Sequence, residues 1–442
     1  MFTYLPRTFF SFASLLFSFL LASVNIATNP LAILNKPVAA PDDFTPVVRF
    51  AVCSDIHITG TDDTLRIERF TNLIETAYDI AESDSKYTKL DAVCVCGDFT
   101  DSGAVAEFEA FKKVLDENIR EGTTALTVVG NHEFFDNREE TFNRFNQYVL
   151  KETDNHLVIN GFHFIGISYD QDTTFGIDKM TWLDKQLAEA KQDNPDYPIF
   201  VFQHPHPFGT VYGSVNWGEI NLNAVYVKYP QVVNFSGHSH YPMRDPRSVW
   251  QGSFTALGTG SLDYYELENE LFAGQFPEGH EKAAEFYIVE ADANGSTRVR
   301  GYDLNSATFI DGVDHFFKSP AKKSTFTHTY AGRFFNSTAP AFENGAEVSL
   351  TVDEDGEAFV GFPAAKDKSG VVHDYKISVT CELKKVYSGN VVANYYNIPE
   401  KDYYSVNVGS LDLESGKTYT VTVVAGNSFY QVSKPLSGSF TF

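Results

Sequence analysis

The chain has 442 residues, of which 43% are hydrophobic, and its 58 acidic and 34 basic residues give a formal net charge of −24 at pH 7. This length supplies apolar material for more than one core, so we expect at least two domains. The acidic balance argues against a nucleic-acid polymer or an anionic membrane surface as the main partner.

The first 27 residues have the pattern of a secretory signal. A single cation, Arg7, precedes an apolar run from Phe9 to Ala22, and small residues follow. This pattern predicts a signal peptide over residues 1–27, a linker over 28–46, and a secreted or surface-associated protein. An uncleaved anchor is the alternative, because the run is only somewhat shorter than the roughly 20 residues of a spanning helix. No later segment is long and apolar enough to cross a membrane.

Five strand-like segments each end in polar residues. In chain order, these are 47–53 before Asp55-Ile56-His57, 90–96 before Gly97-Asp98-Phe99-Thr100-Asp101, 125–129 before Gly130-Asn131-His132-Glu133, 199–203 before His204-Pro205-His206, and 232–235 before Ser236-Gly237-His238-Ser239-His240. Six of the 12 histidines lie in these short segments. The carboxyl ends of strands in α/β sheets are where ligands bind, so the pattern predicts a site built from oxygen and nitrogen donors.

The segments between these strands predict helices and hairpins. Apolar residues recur at helical spacing over 63–83 and 104–119, and another helix is predicted over 179–192. Strands that alternate with helices favour an α/β domain. Asn160-Gly161 predicts the turn of one β-hairpin, and a second hairpin is predicted between 285–290 and 297–300.

The four cysteines do not have the pattern of a disulfide framework. Cys53, Cys94 and Cys96 lie within two predicted strands, and Cys381 stands alone. We interpret them as buried thiols. A Cys53–Cys96 bridge is the alternative if the strands meet the geometric limits of a disulfide, whereas the lack of CxxC spacing argues against a zinc cluster.

The five polar motifs resemble, in order, those of the calcineurin-like metallophosphoesterases: D-x-H, GD-x-x-D, GNH followed by an acid, a single H, and GH-x-H. The resemblance covers Val47 to His240 directly and implies a catalytic domain over residues 47–305. The implied fold is a four-layer α/β/β/α sandwich of two mixed sheets flanked by helices. The form of the first three motifs looks most like the cyclic-nucleotide-phosphodiesterase branch.

The resemblance also implies two divalent metal ions. Carried over by position, one ion would be held by Asp55, His57, Asp98 and His240, and the other by Asp98, Asn131, His204 and His238. A hydroxide between the ions would attack phosphorus, His132 would stabilise the transition state and protonate the leaving group, and Asp101 would orient His132 as its acid partner. Purple acid phosphatases have a tyrosine where this chain has Asp101, so no ferric tyrosinate is expected. Donors of this type accept manganese, iron(II) or zinc, and we favour manganese or iron.

Two polar residues in or next to the motifs are not expected to bind metal or take part in catalysis. His206 is expected at the pocket rim or the surface, although a shift of the ligand role from His204 to His206 is the alternative. Glu133 is expected to be an exposed acid at the start of a helix. The loops 205–229 and 258–280 are rich in aromatic residues, which either stack on a substrate or only contribute to packing.

The C-terminal third has a different pattern. Residues 306–342 are interpreted as a connector, and 343–442 as an all-β immunoglobulin-like or fibronectin III-like sandwich. The predicted strands are 347–352, 358–362, 374–380, 391–396, 404–408, 419–425 and 438–442. The stretch from Leu413 to Ala425 is similar to the tyrosine-corner region of a fibronectin type III module. Such a module either binds a cell-surface partner or serves as a spacer.

Together these patterns predict an exported, dinuclear metal-dependent phosphoesterase. A phosphodiesterase that acts on cyclic nucleotides or other small diesters is the first choice, and a phosphomonoesterase or nucleotidase is the alternative. A catalytically inert surface-binding protein is the alternative from another class, and lost ligands would indicate it. None of the motif residues is missing.

Overall fold

The computed structural model describes residues 35–269, 272–382, 384–411 and 413–442. The predicted signal peptide and the start of the predicted linker lie outside the described residues. The chain divides into two units: the first extends to Met243 and continues over Arg247–Gly332, and the second comprises Arg244–Pro246 and Arg333–Phe442. No helix in the described part of the chain is long and apolar enough to cross a membrane. The predicted domain boundaries remain predictions.

Strands and helices alternate through the first unit. Its strands are β1 (Pro46–Cys53), β2 (Ala92–Cys96), β3 (Thr124–Val128), β4 (Asn155–Ile159), β5 (Phe162–Gly166), β6 (Ile199–Phe202), β7 (His206–Pro207), β8 (Gly218–Glu219), β9 (Val232–Ser236), β10 (Val249–Gln251), β11 (Thr255–Gly258), β12 (Leu267–Asn269), β13 (Phe272–Gln275), β14 (Glu285–Asp292), β15 (Thr297–Asp303) and β16 (Thr308–Phe317). The helices within the described residues are α1 (Thr64–Ser83), α2 (Val105–Asn118), α3 (Thr141–Tyr148), α4 (Ile177–Asp193), α5 (Ile220–Tyr226) and α6 (Tyr330–Asn336). Short 3-10 helices lie at His132–Phe134, Pro246–Ser248, His280–Lys282 and Lys323–Thr325.

Two six-stranded mixed sheets form the centre of this unit. The first has the order β16-β15-β14-β1-β2-β3, and the second has the order β10-β11-β9-β6-β5-β4. Strands β1, β2 and β3 are parallel to one another, as are β5, β6, β9 and β11. The hairpin predicted at Asn160-Gly161 joins β4 to β5, and both turn residues have positive φ, as a tight hairpin turn requires. The second predicted hairpin is formed by β14 and β15.

The side chains of β1 show how the layers stack. Val48, Phe50 and Val52 face a core between the two sheets, whereas Ala51 and Cys53 face the core that contains α1 and α2. The Phe50 ring lies 4.8 Å from both the Phe164 and the Phe200 rings of the opposite sheet. Strands buried on both faces are expected in a sheet covered by helices. The predicted mixed α/β architecture is therefore confirmed.

The cysteines of β1 and β2 are buried free thiols. This agrees with the interpretation as small apolar residues, and the alternative Cys53–Cys96 bridge is not formed. Cys381 is partly exposed.

The second unit contains two antiparallel sheets. Its strands are β17 (Ser349–Val352), β18 (Ala358–Pro363), β19 (Val372–Cys381), β20 (Lys384–Val392), β21 (Tyr403–Gly409), β22 (Thr418–Asn427) and β23 (Leu436–Thr441), in the orders β17-β18-β21 and β20-β19-β22-β23. The fourth predicted strand, residues 391–396, is wrong. The observed strand, β20, spans Lys384–Val392 and shares only residues 391 and 392 with the prediction. This strand is at a sheet edge, where its polar residues face solvent and show no apolar alternation.

Candidate metal centre

The nine residues predicted to form the site all follow the carboxyl ends of five strands. Asp55 and His57 follow β1, Asp98 and Asp101 follow β2, Asn131 and His132 follow β3, His204 follows β6, and His238 and His240 follow β9. Three of these strands belong to the first sheet and two to the second. The site therefore lies where the corresponding edges of the two sheets meet.

One group of donors consists of Asp55, His57 and His240, all buried. His240 Nε2 lies 3.1 Å from Asp55 Oδ1 and 3.2 Å from His57 Nε2. These three residues are three of the four that the resemblance implied for one metal ion.

A second group consists of Asp98, His204, His238 and Asn131. His204 Nε2 lies 2.9 Å from Asp98 Oδ2, 3.0 Å from Asn131 Oδ1 and 3.1 Å from His238 Nδ1. All four residues implied for the other ion are thus brought together.

Backbone hydrogen bonds fix the two groups side by side. The N–H groups of Ile56 and His57 donate to the carbonyl of Asp98 at 2.8 and 3.1 Å. The N–H of His238 donates to the Asp55 carboxylate at 3.1 Å. Each group therefore contains a residue whose backbone is anchored on the other.

The ring nitrogens of two histidines are assigned by carbonyl partners. His204 Nδ1 lies 2.8 Å from the carbonyl oxygen of Cys96, and His240 Nδ1 lies 3.2 Å from that of Tyr264. Because a carbonyl only accepts, each Nδ1 donates, and each Nε2 faces the site, where it can bind either a proton or a metal ion. Lone pairs and carboxylate oxygens that converge in this way repel one another unless cations lie among them, and the donor types suit hard or borderline divalent ions. The residues present therefore fit two metal ions.

Five of these residues have left-handed backbone conformations. The φ angles are 52° for Asp55, 54° for His57, 48° for Asp98, 74° for His238 and 55° for His240. Non-glycine residues adopt this region rarely and at a cost of order 1–3 kcal/mol each. The strain turns the chain sharply at each strand end, so that the side chain points into the site.

The glycines of the motifs leave room for the donors. A Cβ on Gly130 would lie 2.1 Å from Asp98 Oδ1, and a Cβ on Gly237 would lie 2.4 Å from Asp55 Oδ2. The same crowding holds at Gly97, where a Cβ would lie 2.8 Å from a histidine ring of the site. Any side chain at these positions would displace a metal-binding group.

The charges of neighbouring donors shift one another's pKa values. Burial alone would raise the pKa of Asp98, but the neighbouring His204 imidazolium outweighs it and holds the pKa well below its usual range. Burial opposes the charge of His204 too, yet Asp98 and Asp55 raise its pKa to about 9. Burial and the charge of His204 lower the pKa of His238 to about 3. The carboxylates are thus ionised and able to bind cations across the neutral pH range.

His132 lies beside the second group, with 23% of its side chain exposed. Its backbone N–H donates to Asp98 Oδ1 at 2.9 Å, and its Nδ1 lies 2.7 Å from the carbonyl oxygen of Asp101. The Asp101 contact at hydrogen-bond distance is thus made by the backbone, although a carboxylate oxygen of Asp101 and a ring nitrogen of His132 lie within 4.8 Å of each other, and the role of that carboxylate remains a prediction. That carboxylate is 48% exposed and lies 3.8 Å from His57 Nδ1, while the Asp101 backbone orients His132.

Glu133 corrects a second expectation, because it is fully buried and not an exposed acid. Its carboxylate accepts hydrogen bonds from the N–H groups of Asp98 (3.2 Å), Thr100 (2.9 Å) and Gly130 (2.6 Å) and from the Thr100 hydroxyl (2.8 Å). Burial and the nearby Asp98 raise the pKa of Glu133 to about 8, although these donors oppose the shift. The side chain joins the loops after β2 and β3.

His206 is also buried, contrary to the expectation of a rim or surface position. Its Nδ1 and Nε2 each lie 2.8 Å from a serine hydroxyl, those of Ser236 and Ser239. These serines flank Gly237-His238, so His206 supports that turn and is not among the donor groups. Burial lowers the pKa of His206 to about 3.

Aromatic rings line the centre. The ring centroids lie 4.2 Å apart for Tyr264 and His240, 5.2 Å for Trp217 and His238, and 4.4 Å for Phe135 and His132. Tyr264 and Trp217 come from the two aromatic loops noted in the sequence. Phe135 was missed, and its place two residues after the GNH-acid motif was the only signal that could have found it.

Comparison with known proteins finds a family match over the segment that contains this centre. The calcineurin-like phosphoesterase family matches residues 48–242. Over 169 residues the chain is 31% identical to the "Probable glycerophosphodiester phosphodiesterase GpdQ" of Arcobacter nitrofigilis, and the match covers 34% of this chain and 57% of that protein. The chain thus spans little more than half the length of this curated relative.

Among solved structures, purple acid phosphatase PPD1 from yellow lupin (Lupinus luteus) is similar over 63% of this chain and 55% of its own, with 12% identity and a TM-score of 0.44. A similarity this weak carries no functional argument. The five motifs, the two donor groups and the family match agree over the same residues. Residues 48–242, which include all the predicted site residues, match the calcineurin-like phosphoesterase family.

Proposed function

We propose that this protein is a metal-dependent phosphodiesterase that hydrolyses small phosphodiesters. The observation that carries the proposal is the complete set of donors in two adjoining groups, with Asp98 Oδ2 2.9 Å from His204 Nε2 and 3.9 Å from His132 Nε2. Asp98 thus lies next to both a proposed metal ligand, His204, and the proposed proton donor, His132. The similarity to a relative whose name specifies glycerophosphodiesters supports a diester substrate.

The residues would act in distinct ways during hydrolysis. Asp55, His57, Asp98 and His240 would hold one divalent ion, and Asp98, Asn131, His204 and His238 the other. Ions held there lower the pKa of water and offset charge on the phosphoryl oxygens. Because the Nδ1–H of His132 donates to a backbone carbonyl, its Nε2 faces the site, and the imidazolium form of the ring would donate the Nε2 proton to the departing alcohol oxygen, leaving neutral His132.

The predicted substrates are cyclic nucleotides or other small diesters. Within that class, the relative's name favours open-chain glycerophosphodiesters. Manganese or iron(II) remains our preferred metal, with zinc as the alternative.

The test compares bis(p-nitrophenyl) phosphate with p-nitrophenyl phosphate, using residues 28–442 with added manganese, and with chelator as the control. We expect faster, chelator-sensitive cleavage of the diester. Glycerophosphodiesters and cyclic AMP are then compared directly. Faster cleavage of the monoester would support a phosphomonoesterase instead, and no turnover with manganese, iron(II) or zinc would support an inert binding protein.

We also propose that the protein is exported and that its second unit is a fibronectin III-like module. The hydroxyl of Tyr419 accepts a hydrogen bond from the N–H of Glu414 at 2.7 Å, the type of contact made by a tyrosine corner. Sequencing of the N-terminus of protein recovered from the medium tests export, and a chain that still begins at Met1 would contradict cleavage.

A further inference from the structure

One side of the metal centre is formed by aromatic rings. The Tyr264 ring centroid lies 4.2 Å from that of His240 and 5.7 Å from that of His57. The Phe276 ring lies 5.4 Å from Tyr264, and 60% of Phe276 is exposed. We call Trp217, Tyr264, Glu266 and Phe276 the aromatic–acidic rim. Its rings extend from the metal-binding histidines outward to solvent.

Glu266 places a carboxylate within this rim. Its backbone N–H donates to the carbonyl of His240 at 3.2 Å, which fixes it next to a metal-binding residue. A Cβ on Gly274 would lie 3.1 Å from Glu266 Oε2 and 3.5 Å from Trp217 Cζ2. The glycine thus allows the carboxylate and the indole ring to approach the same point.

No lysine or arginine of the described chain pairs with Glu266, although it is half-buried. The charged groups that act on it are His240, Asp55 and His132 of the site. Glu268, two residues later, shows the contrast, because its carboxylate pairs with Arg247 at 3.0 Å. A half-buried carboxylate is costly without a positively charged or hydrogen-bonding partner.

The chemistry of this rim selects for a cation. Aromatic faces attract ammonium groups, and a carboxylate among them adds charge complementarity. A polyphosphate or other anionic substituent would be repelled by Glu266, on a chain that carries a net charge of −24.

We propose that the aromatic–acidic rim binds an ammonium group on one alcohol of the diester substrate. The inference rests on the proposed phosphodiesterase function and deepens it. The preferred substrate would then be a diester in which one of the two alcohols carries an amino or quaternary ammonium group.

The test compares glycerophosphodiesters that differ only in the second alcohol: choline, ethanolamine or glycerol. We expect kcat/KM to be roughly tenfold higher for the two cationic diesters than for the neutral one. Glu266→Gln should remove most of this preference, chiefly by raising KM for the cationic substrates, and Glu266→Asp should restore part of it. Glu268→Gln is the matched control and should leave the preference unchanged.

Equal kcat/KM for the three diesters, or a preference that survives Glu266→Gln, would overturn the proposal. Binding of phosphocholine and of glycerol 1-phosphate, measured by calorimetry, gives a readout that does not depend on turnover. If no diester is cleaved but phosphocholine binds about tenfold more tightly through Glu266, the proposed reaction fails while the rim assignment stands. If bis(p-nitrophenyl) phosphate is cleaved and phosphocholine shows no preference, only the rim assignment fails.

Discussion

Two neighbouring residues that are not among the proposed metal ligands set the position of Asp98. Glu133 accepts a hydrogen bond from the Asp98 backbone, and Gly130 leaves space for the Asp98 carboxylate. The position of this one carboxylate is therefore set by groups from the loop after β3. Residues of this kind explain why a motif is longer than its set of metal ligands.

Glu133→Gln should destabilise the site, because every partner of the carboxylate is a donor. The amide NH₂ of glutamine would face at least one of these donors, and an unpaired buried group costs about 1–3 kcal/mol. We expect a lower free energy of unfolding and less bound metal, measured by denaturation and elemental analysis.

Glu107 is the control for this variant, because its carboxylate accepts hydrogen bonds from Ser102, Gly103 and Ala104, away from the proposed metal ligands. Glu107→Gln should lose stability but retain metal, and equal metal loss would contradict the role given to Glu133.

Gly130→Ala should abolish activity, since the added methyl group would overlap the Asp98 carboxylate. Gly258→Ala is the matched control, because the nearest atom to its Cβ would be 3.7 Å away, an ordinary contact. Diester hydrolysis and metal content are measured for both variants. Full activity in Gly130→Ala would show that Asp98 does not need its observed position.

His132→Ala and His204→Ala should have different effects. His204 lies within 3.1 Å of three other donors, so its removal should lower metal content and turnover together. His132 is outside the ligand sets of the proposal, so its loss should leave metal content intact and reduce kcat by about 10²–10⁴-fold. Loss of metal from His132→Ala would show that His132 is a metal ligand. Full activity of His204→Ala would show that His204 is not one.

At the scale of elements, helix α1 is connected to the loop that contains Asp55 and His57. Asp63 caps the helix by accepting the N–H of Arg66 at 3.2 Å, and its other oxygen accepts the N–H and hydroxyl of Thr59 at 3.0 Å. A capping side chain satisfies N–H groups that have no partner within the helix. The cap thus holds the start of α1 against the residues just after the first motif.

Asp63→Ala should lower the free energy of unfolding by about 1 kcal/mol through loss of the cap. Asp62→Ala is the control, because Asp62 is exposed and does not cap the helix. Urea denaturation of both variants measures the difference. Equal stability of the two variants would mean that the cap contributes nothing.

Element prediction succeeded where the signal is local. The Asn160-Gly161 hairpin and the helices α1, α2 and α4 follow from turn chemistry and apolar periodicity within short windows. Strand β20 was misplaced because an edge strand needs no apolar alternation. The buried positions of Glu133 and His206 were missed since their partners, such as Thr100 and Ser236, are remote in the sequence.

At the scale of the whole molecule, the donors come from both sheets. Bound ions would therefore connect strand ends that the backbone joins only through long segments. Ligands that bind only the folded state stabilise it, by about 4 kcal/mol at a thousand times their dissociation constant.

Removal of metal from the full chain should lower its melting temperature as well as its activity. Calorimetry with and without chelator measures the shift, and added manganese should reverse it. The same chelator should change the melting temperature of Asn131→Ala less, because that variant has already lost one donor. An unchanged melting temperature in the unaltered chain would contradict a metal centre shared between the sheets.

The sequence alone determined which donors exist, their order, and their placement directly after apolar strands, because these are local properties of the chain. The tertiary structure decided which donors meet and which nitrogen of each ring is free. The carbonyl that fixes the tautomer of His204 lies 108 residues away in sequence, and the one for His240 lies 24 away. The tertiary structure also decided that Asp101 contacts His132 through its backbone carbonyl. Hydrogen bonds depend on distance and direction in space, and residue spacing specifies neither.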